Sequence, residues 1–445
     1  MYMHGTSRIN EQGHLEIGGV DAVGLAKQYG TPLYVFDEGL IRETMRAYKR
    51  AFDASGLRYQ VAYASKAFCT MAMCRVVEEE GLSLDVVSGG ELHTALKAGF
   101  PAERIHFHGN NKTPDEIEQA LQAGIGEFVV DNFHELKLLG ALAVEKGVVA
   151  DILLRLSPGV EVHTHEYIQT GQEDSKFGFD IANGSAKRAV EAAVATDGVR
   201  LIGLHSHIGS QIFETEGFGL AVNIVSEFYA MSLRELGATD LSVLNVGGGF
   251  GIRYTEEDAP LEPSDYIGAI TEAVKRTFDR LGLPYPEVII EPGRSLVGPA
   301  GTTLYTIGAI KDIPGVRKYV SVDGGMTDNP RPALYKAVYE AMLANRADAG
   351  DEEVVSIAGK ACESGDMLIW DVKLPQVNAG DILAVSATGA YNYSMASNYN
   401  RIARPAVVFV HEGQADVVVK RETYDDVIGQ DVIPVRLQNG VYSQS

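Results

Sequence analysis

The sequence predicts an α/β fold joined to an all-β one: a (β/α)8 barrel of the TIM type followed by a mostly antiparallel β domain. Two observations carry that prediction. Between Arg58 and Ser295, eight short runs rich in Val, Ile or Leu alternate with longer stretches whose apolar residues recur at three and four, the spacing of an amphipathic helix. Eight strand–helix units over roughly 240 residues match the usual size of such a barrel. Polar residues also gather at or near the C-terminal ends of the runs: Lys66, Asp85, Asn110, Asp131, Ser157, His207, the Gly247–Gly249 triplet and Glu291. That end of a barrel is where its site is built. A doubly wound open sheet gives the same alternation, and a count of units does not by itself prove closure.

In chain order the strand runs are RYQVAYASKA, LSLDVVSG, IHFHGN, EFVVDN, DILLRLSPG, LIGLHSHIG, LSVLNVGGG and EVIIEPGRS. Segments such as ELHTALKAGF, TPDEIEQALQAGI and NFHELKLLGALAVEKG lie between them as helices. After Ser295 the pattern changes to VSVDGG, VVSIAGKACESGDML, ILAVSATGAYN, RPAVVFV and ADVVVKRE, β-rich runs punctuated by Gly, Pro and Asp. Residues 36–295 are therefore assigned to the barrel and 296–445 to the β domain. GHLEIGGV and TPLYVFD make residues 1–35 a segment expected to add strands to that second domain.

Composition narrows the function. Sixty acidic against 38 basic residues give a formal charge of −22, and no basic run stands out, so neither nucleic acid nor an anionic membrane is expected as a partner. Three cysteines, Cys69, Cys74 and Cys362, fit no disulfide framework and suit a reducing compartment. No cationic leader and no apolar run of about 18 residues is present, so a cytoplasmic location is expected. No metal is expected either: His163 and His165 in VHTH lack accompanying ligands and are assigned to a loop.

Lys66 ends a run of Val, Ala and Tyr. It either snorkels at the rim or is partly desolvated, and desolvation favours the neutral amine, a nucleophile toward carbonyls. NVGGGFG, residues 245–251, lets backbone amides approach an anion, although Ile252 replaces the third glycine of a dinucleotide fingerprint. Barrels often bind phosphate in the loops after strands seven and eight, and EPGRS, residues 291–295, supplies the eighth. Glu291 beside a ring nitrogen would hold that nitrogen protonated. Lysine, phosphate cradle and carboxylate together describe a pyridoxal phosphate site. His205 and His207 are expected to part, one into the core and the one at the strand end onto a cofactor ring.

YASKA, DVVSGGEL, TGQEDSKFGFD, HSHIGSQ, NVGGGFG, EPGRSLVG, DGGMTDNPRPALY, CESGD and GAYNYSMASNYN follow one another along nearly the whole chain. In that order and spacing the chain resembles the alanine-racemase-like, fold type III pyridoxal phosphate enzymes, and within them the branch that decarboxylates diaminopimelate. The resemblance implies that Lys66 carries the cofactor and His207 stacks on its ring. Ser210, Gly248, Gly249, Gly293 and Arg294 would hold the phosphate side, Glu291 would face the pyridine nitrogen, and Asp85 would support the lysine. Tyr391 would touch cofactor and substrate. Arg294, Arg331 and Tyr335 would anchor the distal carboxylate of the substrate, Glu363 would receive its distal ammonium, and Cys362 would return a proton. It further implies a homodimer in which CESGD of one subunit completes the site of the other. Lys360 departs from the pattern, standing where family members commonly carry Pro. Rivals on the same fold are a decarboxylase of ornithine, lysine or arginine and an amino-acid racemase; a non-catalytic pyridoxal phosphate-binding regulator is a third. The two arginines argue for a substrate with an acidic distal group, because a planar fork matches a carboxylate.

Overall fold

The eight runs form parallel strands, and the strands close on themselves. The structure is a computed structural model and describes residues 1–160, 175–350 and 353–438; the VHTH segment lies outside the described residues. Strand β1 (Leu33–Asp37) and helix α1 (Glu38–Ser55) precede the barrel strands. These are β2 (Tyr59–Ala64), β3 (Ser83–Val86), β4 (Ile105–Phe107), β5 (Glu127–Val130), β6 (Ala150–Ser157), β7 (Val199–Ser206), β8 (Val243–Asn245) and β9 (Glu287–Ile290). Each pairs in parallel with the next, and β9 returns to β2 with Ile290 opposite Val61. Closure excludes the open sheet.

Seven helices follow barrel strands in turn: α2 (Met71–Glu79), α3 (Gly89–Lys97), α4 (Pro114–Ala123), α5 (Phe133–Lys146), α6 (Ser185–Ala195), α7 (Glu216–Glu235) and α8 (Pro263–Leu281). The eighth position is filled from the front of the chain, because α1 packs against α8 while β9 leads only into the short turn of helix Arg294–Val297. The sequence dictates these helices locally. In α1 the apolar residues Ile41, Met45, Tyr48 and Phe52 fall on one buried stripe, Asp37 caps the first turn through Leu40 N, and Gly56 ends the helix in the left-handed region. In α4, Thr113 and Glu116 form a reciprocal capping box ahead of Pro114.

Successive residues of a strand point to opposite faces. Val61 and Tyr63 of β2 therefore join the main core outside the barrel, while Ala62 joins Val129, Leu153, Val243 and Ile289 in a small separate cluster inside it. That cluster fills one side of the lumen beneath the site.

The β domain contains β10 (Gly301–Ile313), β11 (Arg317–Val322), β12 (Ala341–Leu343), β13 (Glu353–Ala358), β14 (Met367–Leu374), β15 (Ile382–Val385), β16 (Ala406–His411) and β17 (Gln414–Val419). Its main path runs β14-β13-β11-β10-β1-β16-β17, with β15 beside β10 and β12 beside β15. All pairings are antiparallel except β11 with β13 and β1 with β16. Leu15–Ile17 makes a small sheet of its own with Arg8–Ile9 and Val20–Asp21. Among the described residues no helix is long and apolar enough to cross a membrane.

Candidate active site

Lys66 stands at the C-terminal end of the barrel on a single 3-10 turn, Ser65–Ala67, that carries the chain off β2. Residues 61–65 are buried, but Lys66 itself is exposed, so of the two readings of the apolar run the fold takes the one at the rim. The turn lifts the side chain clear of the strand and opens it onto two adjoining chambers of about 270 and 370 Å³, which share Ala64, Lys66, His207 and Glu291 as their common wall. Ser210, Gly249, Gly293, Arg294, Arg331 and Tyr391 line the first; Asp85, His108, Arg155, His205 and Gly248 line the second.

Glu291 follows β9 and projects into both chambers. His205 Nε2 lies 2.9 Å from its Oε2, and Asn245 Nδ2 donates to Oε1 at 2.6 Å. His108 Nε2 comes within 2.9 Å of the same Oε1, out of line for a hydrogen bond. Burial opposes the charge on Glu291, but the imidazoles of His108 and His205 win and hold the carboxyl well below its usual range. His205 and His207 do not part: both line the second chamber. Residues two apart on a strand share a face, which corrects the expectation from sequence. His207 is kept neutral, first by burial and then by the nearby Lys66 charge, and its Nδ1 accepts from Gly248 N at 3.3 Å. Burial and the Glu291 charge raise Asp85 well above the carboxylate range, against the pull of Lys66.

The glycine loops leave no room for side chains. A Cβ on Gly248 would meet the Glu291 carbonyl oxygen at 2.1 Å, and one on Gly249, whose φ is +105°, would meet the Gly209 oxygen at 2.3 Å. Gly293 packs its Cα face against Ala64 and Ala67 of the lysine turn. Facing these loops, Arg294 donates to Ser210 Oγ at 3.1 and 3.3 Å and to Tyr254 Oη at 2.5 Å. The guanidinium carbons of Arg294 and Arg331 lie 5.0 and 5.5 Å from the Tyr391 ring centroid, and Arg331 also covers Tyr335 at 5.2 Å. Burial raises the Tyr391 phenol, but Arg294, Lys66 and Arg331 outweigh it and bring the phenol below its ordinary value. Both arginines are buried, and among the described residues neither has a carboxylate within ion-pair distance and Nε of Arg331 has no hydrogen-bond partner.

Cys362 and Glu363 are exposed and line neither chamber of their own chain. The backbone of Cys362 is held by Asn400, and Glu363 turns back onto Gly365 N. Four residues of the site were missed from sequence. His108 and Asn245 lie inside runs judged by their last residue, and Tyr254 lies in a loop without a motif. Arg155 carried a signal, a lone arginine within the apolar run DILLRLS, and it now lies 4.3 Å from the Phe177 ring and 3.8 Å from Asp131.

The donor set fits pyridoxal phosphate. An accessible primary amine, an anionic carboxylate for the ring nitrogen, a neutral imidazole for the ring face and a side-chain-free glycine cradle converge on one cavity. Residues 38–298 match the family described as pyridoxal-dependent decarboxylase, pyridoxal binding domain. The chain is 61% identical to the diaminopimelate decarboxylase of Bacillus subtilis (strain 168) over 432 residues, 97% of this chain and 98% of that one. It is 60% identical to that of Bacillus methanolicus over 422 residues, 95% of this chain and 98% of that one. Among solved structures, the diaminopimelate decarboxylase of M. jannaschii in complex with L-lysine superimposes with a TM-score of 0.92 at 38% identity, covering 98% of this chain and 100% of that one.

Proposed function

The chain belongs to the pyridoxal-dependent decarboxylases, and from that premise we propose that it removes one α-carboxylate of meso-2,6-diaminopimelate as CO2 and yields L-lysine, the last step of lysine biosynthesis. One observation carries the substrate choice: two buried guanidiniums, Arg294 and Arg331, flank Tyr391 at the cavity with no carboxylate of the described residues to neutralise them. A substrate with a carboxylate at its far end satisfies that charge; ornithine or lysine would leave it buried and uncompensated.

Bound pyridoxal phosphate supplies an electron-accepting ring that takes up the electron pair of the Cα–carboxylate bond. Lys66 would hold the cofactor through its amine. Ser210, Gly248, Gly249, Gly293 and Arg294 would hold the phosphate, and the anionic Glu291 would keep the ring nitrogen protonated. His207, neutral and flat, would cover one ring face, with Asp85 supporting the lysine. Arg294, Arg331 and Tyr335 would grip the distal carboxylate, and that grip orients the α-carboxylate for loss. Tyr391 would bridge cofactor and substrate.

Cys362 would give a proton to Cα as CO2 leaves, and Glu363 would receive the distal ammonium. Their exposure outside their own cavity supports placing them over the cavity of a second copy, which makes the homodimer the working unit. A cytoplasmic setting agrees with three unpaired thiols.

The deciding assay offers the purified holoenzyme carboxyl-labelled meso-diaminopimelate, lysine, ornithine and arginine. Labelled CO2 and lysine are expected from the first alone. Release from another amino acid but not from diaminopimelate, or racemisation without release, would overturn the assignment.

A further inference from the structure

Ser210 lies in the loop after β7, and Gly248 and Gly249 lie in the loop after β8. The ladder between these two strands stops at His205 and Asn245, and the loops would be free to part beyond it. They do not part, because the pairing resumes for one step farther out. Ile212 meets Phe250 in parallel: Ile212 N donates to Gly249 O and Gly251 N to Ile212 O, both at 3.0 Å. The Tyr266 hydroxyl of α8 donates to the same Ile212 oxygen at 2.6 Å. Gln211 then lengthens the bridge with its side chain. Its Nε2 donates to Ile252 O at 3.1 Å and its Oε1 accepts from Ile252 N at 2.9 Å, so the side-chain amide takes the place of one more peptide unit.

Gln211 is buried, and its φ of +58° lies in the left-handed region, which a residue with a side chain occupies only at a cost. Glycine would adopt that backbone freely but carries no amide. Asparagine is one methylene short, and glutamate could accept from Ile252 N but not donate to Ile252 O. The amide is thus what the strained backbone retains. Its neighbours in sequence are the proposed phosphate contacts: Ser210, whose hydroxyl accepts from Arg294, precedes it, and Ile212, bonded to Gly249 O, follows. Gln211 itself lines neither chamber, so it acts on the site through the loops it joins.

We propose that Gln211 is a positioning residue for the phosphate end of the cofactor: by fixing Ser210 and the Gly248–Gly249 turn relative to each other, it gives the site its preference for pyridoxal phosphate over unphosphorylated pyridoxal compounds. A set of donors already held in place binds an anion without first being ordered, whereas two loops free to part lose affinity when they must be drawn together. The ring end does not depend on the clamp, because Lys66 and Glu291 follow β2 and β9 instead. The inference rests on the phosphate lying between these two loops.

The test compares two ligands on the cofactor-stripped full chain: pyridoxal phosphate, and 5'-deoxypyridoxal, which has the same ring and aldehyde but no phosphate. Gln211→Met keeps the length of the side chain and removes its hydrogen bonds. Gln211→Gly removes the amide and accepts the left-handed backbone without strain, so it decides the matter alone if the Met variant does not fold. Spectrophotometric titration should show the dissociation constant for pyridoxal phosphate rising about 10-fold or more in each variant, while that for 5'-deoxypyridoxal stays within about 2-fold of native. A residue that merely supported the fold would weaken both ligands alike, and that result overturns the proposal. An unchanged constant for pyridoxal phosphate overturns it too. The native chain reports on the underlying reading by itself. If it binds the two compounds equally, the phosphate assignment fails; if it prefers the phosphorylated one and the variants keep that preference, the assignment stands and the role of Gln211 fails.

Discussion

Arg331 is the single side chain on which the proposed substrate choice leans most. It is buried, stacked on Tyr335 and Tyr391, and left with an unpartnered Nε. Replacing it by Met keeps most of the volume and removes the fork. Steady-state kinetics should show kcat/KM for diaminopimelate falling about 10- to 100-fold, the equivalent of one charge-assisted hydrogen-bond pair, chiefly through KM. A fall carried by kcat alone would place Arg331 elsewhere. The neutral histidines give a pH prediction. His4, like His106 and His108, is kept low by burial, at about 4, against about 6.5 when exposed. The unfolded chain then binds more protons than the folded one below about pH 6.5, so stability falls as pH drops from there toward 4, by up to about 1.4 kcal/mol per pH unit for each group. Urea unfolding across that range should show it, and His106→Gln should remove one such increment. At this scale the sequence was most legible where a residue ended an apolar run, as Lys66 and Glu291 do. It was least legible for His108, Asn245 and Tyr254, whose roles come from neighbours on other strands.

At the scale of elements, the loop between β4 and α4 is tied to β5 and α5. Lys112 is buried; its ammonium donates to Gly109 O, Val129 O and Glu135 Oε1 at 2.7–2.9 Å, while the other Glu135 oxygen accepts from Asp131 N. Glu135→Gln leaves an uncompensated cation there and should destabilise the fold by about 3–5 kcal/mol in chemical denaturation. A double variant with Lys112→Met should recover much of that loss. Periodicity made the barrel elements readable in advance, because the segments between the strands carry apolar stripes of their own. What periodicity could not give was their closure into a ring, or that α1, lying ahead of the first barrel strand, supplies the eighth helix.

For the whole molecule, Cys362 and Glu363, exposed and lining neither chamber of their own chain, lead to a mixing prediction. Lys66→Ala and Cys362→Ser homodimers should each be nearly inactive. Exchanged together in equal amounts they should recover about a quarter of native activity, since half of the dimers would hold one intact site of two. Recovery of nothing after verified exchange would mean that each chain serves its own site. Motif order announced these residues; one sequence does not display the second chain whose cavity they are proposed to serve.

The central β sheet is threaded from both ends of the chain. β1 lies between β10 and β16, with Leu33 opposite Leu304 on one side and Ala406 on the other. Its partner in β16 is made some 370 residues after it, a wait of roughly 20–70 s at ribosomal speed. For about the first 270 of those residues LYVFD has neither neighbour, and after β10 is made one apolar edge still stays open to any other strand it meets until β16 arrives. Synthesis from the N-terminus thus makes this short segment, completed on its second side only near the end of translation, a point where a newborn chain depends on protection from aggregation.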